Sequence, residues 1–175
     1  MQWLTLLRDL LRSNGIPNGY TYAGVGDFLL RHGVWYEPRP LPKSIRHGAP
    51  RQCFANAVML GRIKGLRYVE GYALAQFKGD ALLPVQHGWN LDRDGNLIDA
   101  TWREPGLAYL GVEFSVGRAE NALWFDDASV LDNPKSRYRI FKEPWLGENF
   151  NLAWRRSNKL RRAASELRAA GIWRD

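Results

Sequence analysis

Apolar and polar positions repeat with two different periods along this chain, and the changes of period mark its elements. In 53–63 (CFANAVMLGRI) the residues Phe54, Ala57, Val58, Leu60 and Ile63 recur near helical spacing. Pro50 keeps Ala49 out of the α region, so a helix is predicted to begin at Cys53. In 82–92 (LLPVQHGWNLD) strand formers run up to the turn signal Asp94-Gly95, and 96–102 (NLIDATW) supplies the return strand of a hairpin. The stretch 107–115 (LAYLGVEFS) predicts a further strand, 118–132 (RAENALWFDDASVLD) a helix, and 136–143 (SRYRIFKE) a short alternating strand.

Toward the amino terminus, 25–33 (VGDFLLRHG) predicts a short helix stopped by Gly33. In 1–15, Trp3, Leu6, Leu7, Leu10 and Leu11 face away from Arg8, Asp9 and Arg12, the pattern of an amphipathic helix closed by Asn14-Gly15. Its apolar run is broken too early for a signal peptide or a membrane span, so no membrane association is expected. Between these helices and Cys53 lies 36–50 (YEPRPLPKSIRHGAP), an extended, basic, proline-punctuated loop that leads straight to the cysteine and is a candidate wall of a substrate cleft. Strands dominate the middle and helices the ends. The expected fold is therefore α+β: an antiparallel sheet packed against the Cys53 helix, with flanking N- and C-terminal helices. No repeat or linker breaks the pattern, so a single domain over 1–175 is expected, with its core at about 50–115.

At 175 residues and 45% apolar, the chain can bury an ordinary core without metals or disulfides. One cysteine permits no intrachain disulfide, which points to a reducing, cytoplasmic compartment. His32, His47 and His87 are scattered and no Cys/His cluster has zinc spacing, so neither a metal nor another cofactor is expected. The formal net charge is +7, and five of those charges lie in 151–175. There Leu152, Leu160 and Leu167 stripe one side of a predicted helix at about 151–170, while Arg155, Arg156, Lys159, Arg161 and Arg162 make it a candidate contact for an acidic protein, nucleotide or nucleic acid.

The candidate chemistry centres on Cys53. A thiol becomes a nucleophile when an imidazolium, a helix N-terminus or both favour its thiolate, and Cys53 is placed at a predicted helix start. The same free N–H groups can donate to a developing oxyanion. His87 on the first hairpin strand is the candidate base and Asp99 on the second the candidate orienting acid. They are not directly opposed across the Asp94-Gly95 turn, but a diagonal contact lies within reach. Trp35, Tyr36, Trp89, Trp102 and Trp145 are candidates for a water-excluding cleft rim.

These segments bring out a family resemblance. PRQCFANAVMLGRIKGLRYVEGYAL resembles the core of the transglutaminase-like (papain-like) superfamily, in which a cysteine opens a helix, a Gly-hydrophobic pair follows it, and a strand ends in Gly-Tyr. QHGWNLDRDGNLIDATW is similar to that superfamily's His-x-Trp strand, hairpin and Asp-Pro-Thr strand, with Ala100 in place of the proline. The resemblance runs from about Pro50 to Thr101. It implies a transglutaminase-like fold with Cys53 as nucleophile, His87 as base and Asp99 as orienting acid. It also implies oxyanion or substrate-binding roles for Gln52, Trp89 and Tyr72. The implied activity is cysteine-dependent acyl transfer, here expected to be hydrolysis of an amide, peptide or isopeptide bond through a thioester. The alternative is an inactive scaffold that binds an acidic partner through the basic C-terminal helix.

Overall fold

The computed structural model describes residues 16, 18–76, 81–145 and 147. The predicted helices at 1–15 and 151–170, and with them the basic cluster from Arg155 to Arg162, lie outside the described residues. The chain divides into two units, Met1–Pro144 and Trp145–Asp175, and every element below belongs to the first.

The described elements, in chain order, are α1 (Val25–His32), β1 (Val34–Tyr36), α2 (Cys53–Lys64), β2 (Arg67–Gln76), β3 (Leu82–Leu91), β4 (Leu97–Ile98), β5 (Ala108–Phe114), α3 (Val116–Asp126) and a 3₁₀ turn at Arg139–Phe141. The five strands form one antiparallel sheet in the order β1-β5-β2-β3-β4. This is the expected α+β class, with the sheet packed against the cysteine-bearing helix. Among the described residues no helix is long and apolar enough to cross a membrane.

Helix α2 lies against β3 and β2 through small residues. Its buried positions are Ala57, Val58 and Gly61, and Asn90 Nδ2 on β3 donates to the Ala57 carbonyl at 2.9 Å. Ile63, counted on the inward face by periodicity, is 68% exposed. Gly88 decides how closely the first turn sits: a Cβ there would lie 2.9 Å from the Phe54 ring and 3.3 Å from the Phe54 Cα. That glycine lets the start of α2 rest on β3 directly beside His87. Gly65 then ends the helix in the left-handed region at φ 67°, where glycine pays no Cβ penalty.

On the other sheet face, Val69, Ala73, Trp89, Leu91, Leu97 and Tyr109 form the core, with Tyr36 and Trp102 packed on it. Gly111 sits in register with Gly71, and a Cβ on it would press into the Trp89 ring, so the missing side chain makes room for the indole. The hairpin turn forms as expected, held by Asp92 Oδ1, which accepts from the N–H groups of Asp94 and Asn96 at 2.9 and 2.8 Å.

Three expectations are corrected. The segment 136–143 is not a strand: Arg137 and Tyr138 both have φ of 52°, and Ile140 and Phe141 are buried in succession instead of alternating. Phe141 packs on Phe28, and its carbonyl accepts from the N–H groups of Thr21 and Tyr22. The helix expected at 118–132 starts earlier, capped by Ser115, and stops at Asp127 in the left-handed region. The loop at 36–50 yields its first residue to β1, whose three residues pair with β5.

Beyond α3, the chain is anchored by an acid inside the strand pattern of β2. Glu70 is fully buried and accepts from Leu131 N–H at 2.7 Å, Val130 N–H at 2.9 Å and the Tyr68 hydroxyl at 3.0 Å. Burial pushes its carboxyl above the usual range, and the hydrogen bonds from Leu131, Ser129, Val130 and Tyr68 offset part of that cost. Glu70→Ala is expected to destabilise the fold by about 3–5 kcal/mol, since it strands those donors without an acceptor. Urea unfolding checks this, and a loss under about 1 kcal/mol would mean the donors find other partners.

Candidate active site

Cys53 is the first residue of α2, so its N–H and those of the next residues lack partners within the helix. Gln52 precedes it as the N-cap with no side-chain capping bond, and its side chain lines the same cavity as the thiol. His87 is on β3, where β4 pairs only with Asn90 and Leu91. The His87 stretch of that strand edge is therefore uncovered by β4 and meets the start of α2. Asp99 lies one residue past Ile98, where the return strand has left the ladder, and this lets its side chain cross diagonally to the histidine.

The three side chains converge. His87 Nε2 and Asp99 Oδ2 are 2.8 Å apart, and the Cys53 thiol lines the same cavity as the ring, close enough to favour its charged form, with Nδ1 the nitrogen not taken by Asp99. Both members of the His–Asp pair are buried, at 1% and 3% exposure, while Cys53 is half-buried and opens to a cavity of about 360 Å³. Burial works against a charged imidazole, but the hydrogen bond and charge of Asp99, with the Cys53 thiol beside the ring, push His87 up to about 9. Asp99 moves the other way. Burial opposes its ionisation, yet His87, the Thr101 N–H and the Tyr109 hydroxyl hold its carboxyl below the usual range.

Asp99 has its remaining valences filled. Oδ1 accepts from Thr101 N–H at 2.9 Å and Trp102 N–H at 3.3 Å, and Oδ2 accepts from the Tyr109 hydroxyl at 2.9 Å. Burial and the Asp99 charge keep that hydroxyl protonated, so it donates to Asp99 while accepting from the Gly106 N–H at 2.8 Å. Trp102 stacks on the imidazole with centroids 4.2 Å apart and planes 28° from parallel. An indole face over the ring favours its charged form and excludes water from one side.

Asn56, one turn into α2, ties the surrounding loops together. Its side chain exchanges two hydrogen bonds with Ala49, at 3.1 and 2.8 Å, and donates to Thr101 Oγ1 at 2.9 Å. Gly48 N–H donates to the Ala100 carbonyl at 2.8 Å. The loop before Cys53, the helix that Cys53 begins and the loop after Asp99 are thus clamped at one point.

The other expected site residues divide. Trp89 does not reach the cleft: it is 1% exposed, packed edge-on against Tyr36 and Tyr109, because its alternation on β3 points it into the core. Tyr72 lies outside the thiol cavity and lines a neighbouring cavity of about 420 Å³ with Tyr20, Tyr138 and Phe141, while Gln86, its register partner, lines both. Trp102, grouped above only among rim aromatics, covers the imidazole. Asn56, Tyr109 and Glu70 carried no motif that would have singled them out. A larger cavity of about 830 Å³ adjoins the thiol cavity, sharing Arg51, Thr101 and Trp102 with it, and the loop before Cys53 walls it through His47, Gly48 and Pro50. Among the described residues no three His, Cys, Asp or Glu side chains converge as a metal would require.

No protein-family model, curated protein or solved structure matches this chain.

Proposed function

We propose that this protein is a transglutaminase-like cysteine enzyme that breaks an amide, peptide or isopeptide bond through a Cys53 thioester. The observation that carries this reading is the imidazole of His87, hydrogen-bonded on one side to the buried carboxylate of Asp99 and lining, with the half-exposed thiol of Cys53, a single cavity. A histidine with a merely structural role needs one satisfied nitrogen, not a thiol beside it at the mouth of a cavity.

In the proposed cycle the Cys53 thiol proton passes to His87 Nδ1 and the sulfur attacks the substrate carbonyl. The oxyanion takes hydrogen bonds from the unpaired N–H groups at the start of α2 and from the Gln52 side chain. As the tetrahedral intermediate collapses, the C–N bond breaks and His87 returns its proton to the leaving amine. A water, deprotonated by His87, then splits the thioester and regenerates the thiol. Asp99 does not move a proton. It holds the imidazole in the tautomer that keeps Nδ1 free for the sulfur and stabilises the imidazolium when it forms.

Thiol alkylation tests the reading without a known substrate. Because Cys53 is the only cysteine, each iodoacetamide adduct on the intact chain reports this residue alone. At about pH 6 native protein is expected to alkylate roughly tenfold faster than a free thiol, and His87→Ala to remove the excess. Alkylation that appears only after denaturation would identify Cys53 as a structural thiol and end the proposal.

A further inference from the structure

The larger cavity holds charge that the proposed chemistry does not use. Arg51, Arg103 and His47 line it, and among the described residues none of the three has a hydrogen bond or ion pair within the protein. Glu104 is the acid in the same wall. Pro50, Leu107 and Trp102 supply apolar surface in the same cavity, and Arg51, Thr101 and Trp102 line the thiol cavity as well. Two guanidinium groups are planar forks that match a carboxylate, and an aliphatic or aromatic body suits the surface around them.

We infer that this cavity is a substrate subsite for a carboxylate, so that the amide cleaved at Cys53 carries a carboxylate and an apolar body on the side facing Arg51 and Arg103. The inference rests on the thioester reading above. An acidic side chain and a free chain terminus offer the same group, and Glu104 sets the charge balance for a single negative charge instead of a doubly charged phosphate. Arg51 has a direct place in this arrangement. It adjoins the N-cap of α2, lines both cavities, and is held in the left-handed region at φ 63°, uncommon for a residue with a side chain.

Four affinity labels decide the matter: N-iodoacetyl-leucine, with a terminal carboxylate; N-iodoacetyl-aspartic α-amide, with a side-chain carboxylate; neutral N-iodoacetyl-leucine amide; and cationic N-iodoacetyl-lysine amide. In each case the Cys53 sulfur forms a bond to the methylene carbon, iodide departs, and the thiol proton goes to His87. Labelling of full-length protein is followed by intact mass at limiting reagent. At least one carboxylate label is expected to react roughly fivefold or more faster than the neutral label, with saturation, and the faster of the two names the source of the carboxylate. The advantage should shrink in about 0.5 M salt, and Arg103→Glu should transfer it to the lysine label. Equal rates for all four labels, while the neutral one still outpaces a free thiol, would overturn the subsite and leave the thiol chemistry standing. Slow labelling by all four would overturn both. Should Arg103→Glu fail to fold, the wild-type ranking and its salt dependence decide alone.

Discussion

Cys53→Ala is expected to remove amide turnover and acyl-enzyme formation completely, and His87→Ala to lower turnover by a factor on the order of a million. Losses of that size follow when nucleophile and base act as one unit, because either alone is idle. The two substitutions should differ in stability. Cys53 is half-buried at the cavity mouth, so its truncation should scarcely move the unfolding midpoint, whereas His87→Ala opens a void beneath Trp102 and leaves the Asp99 carboxylate without its main partner. Hydrolysis of a peptide mixture followed by mass spectrometry, with a thermal melt for each variant, checks both halves. Sustained turnover by folded Cys53→Ala would place the chemistry elsewhere in the chain.

Asp99→Asn is expected to reduce turnover by roughly ten-thousandfold while the protein stays folded. The asparagine can keep an oxygen for the N–H groups of Thr101 and Trp102, but its amide then points N–H at both His87 Nε2 and the Tyr109 hydroxyl. The imidazole responds by taking the other tautomer, with its proton on Nδ1, where the thiol proton has to arrive. Loss of the carboxylate also leaves burial as the dominant influence on His87, so its pKa should fall from about 9, which an NMR titration of the ring can follow. A His87 titration unchanged by the substitution would show that Asp99 is not what holds the proton.

The same pair shapes stability against pH. Asp99 is held below its ordinary value of 3.8, so its contribution is present above that pH and is lost as the pH falls through the lowered folded value. His87 is raised from 6.5 to about 9, so its contribution is full below 6.5 and is lost as the pH climbs through about 9. The pair should therefore contribute most between these limits, and its alkaline loss should be absent in His87→Ala.

Much of this site was legible in the chain because it rests on local rules. Pro50 before a helical apolar repeat put Cys53 at a helix start, and Asp94-Gly95 between strand formers put His87 and Asp99 on one hairpin. The diagonal contact was within reach of that register, and it forms because the ladder stops at Ile98. Trp89 was misplaced for a reason equally physical: strand alternation says that it shares a face with His87, but not that Gly111, on a strand distant in sequence, leaves the hole that draws the ring inward.

By itself, then, the sequence determined the α+β order, the helix at Cys53, the hairpin and the identity of three convergent side chains, since periodicity, proline and turn glycines act within a few residues. Tertiary structure alone decided which aromatic covers the imidazole, that Tyr109 donates to Asp99, that Asn56 clamps the loops on either side, and that Glu70 is buried inside an apolar strand. Each of those depends on groups that meet only after β5 has paired with β2 and α2 has settled on Gly88, and no local pattern encodes a partner that arrives from another element.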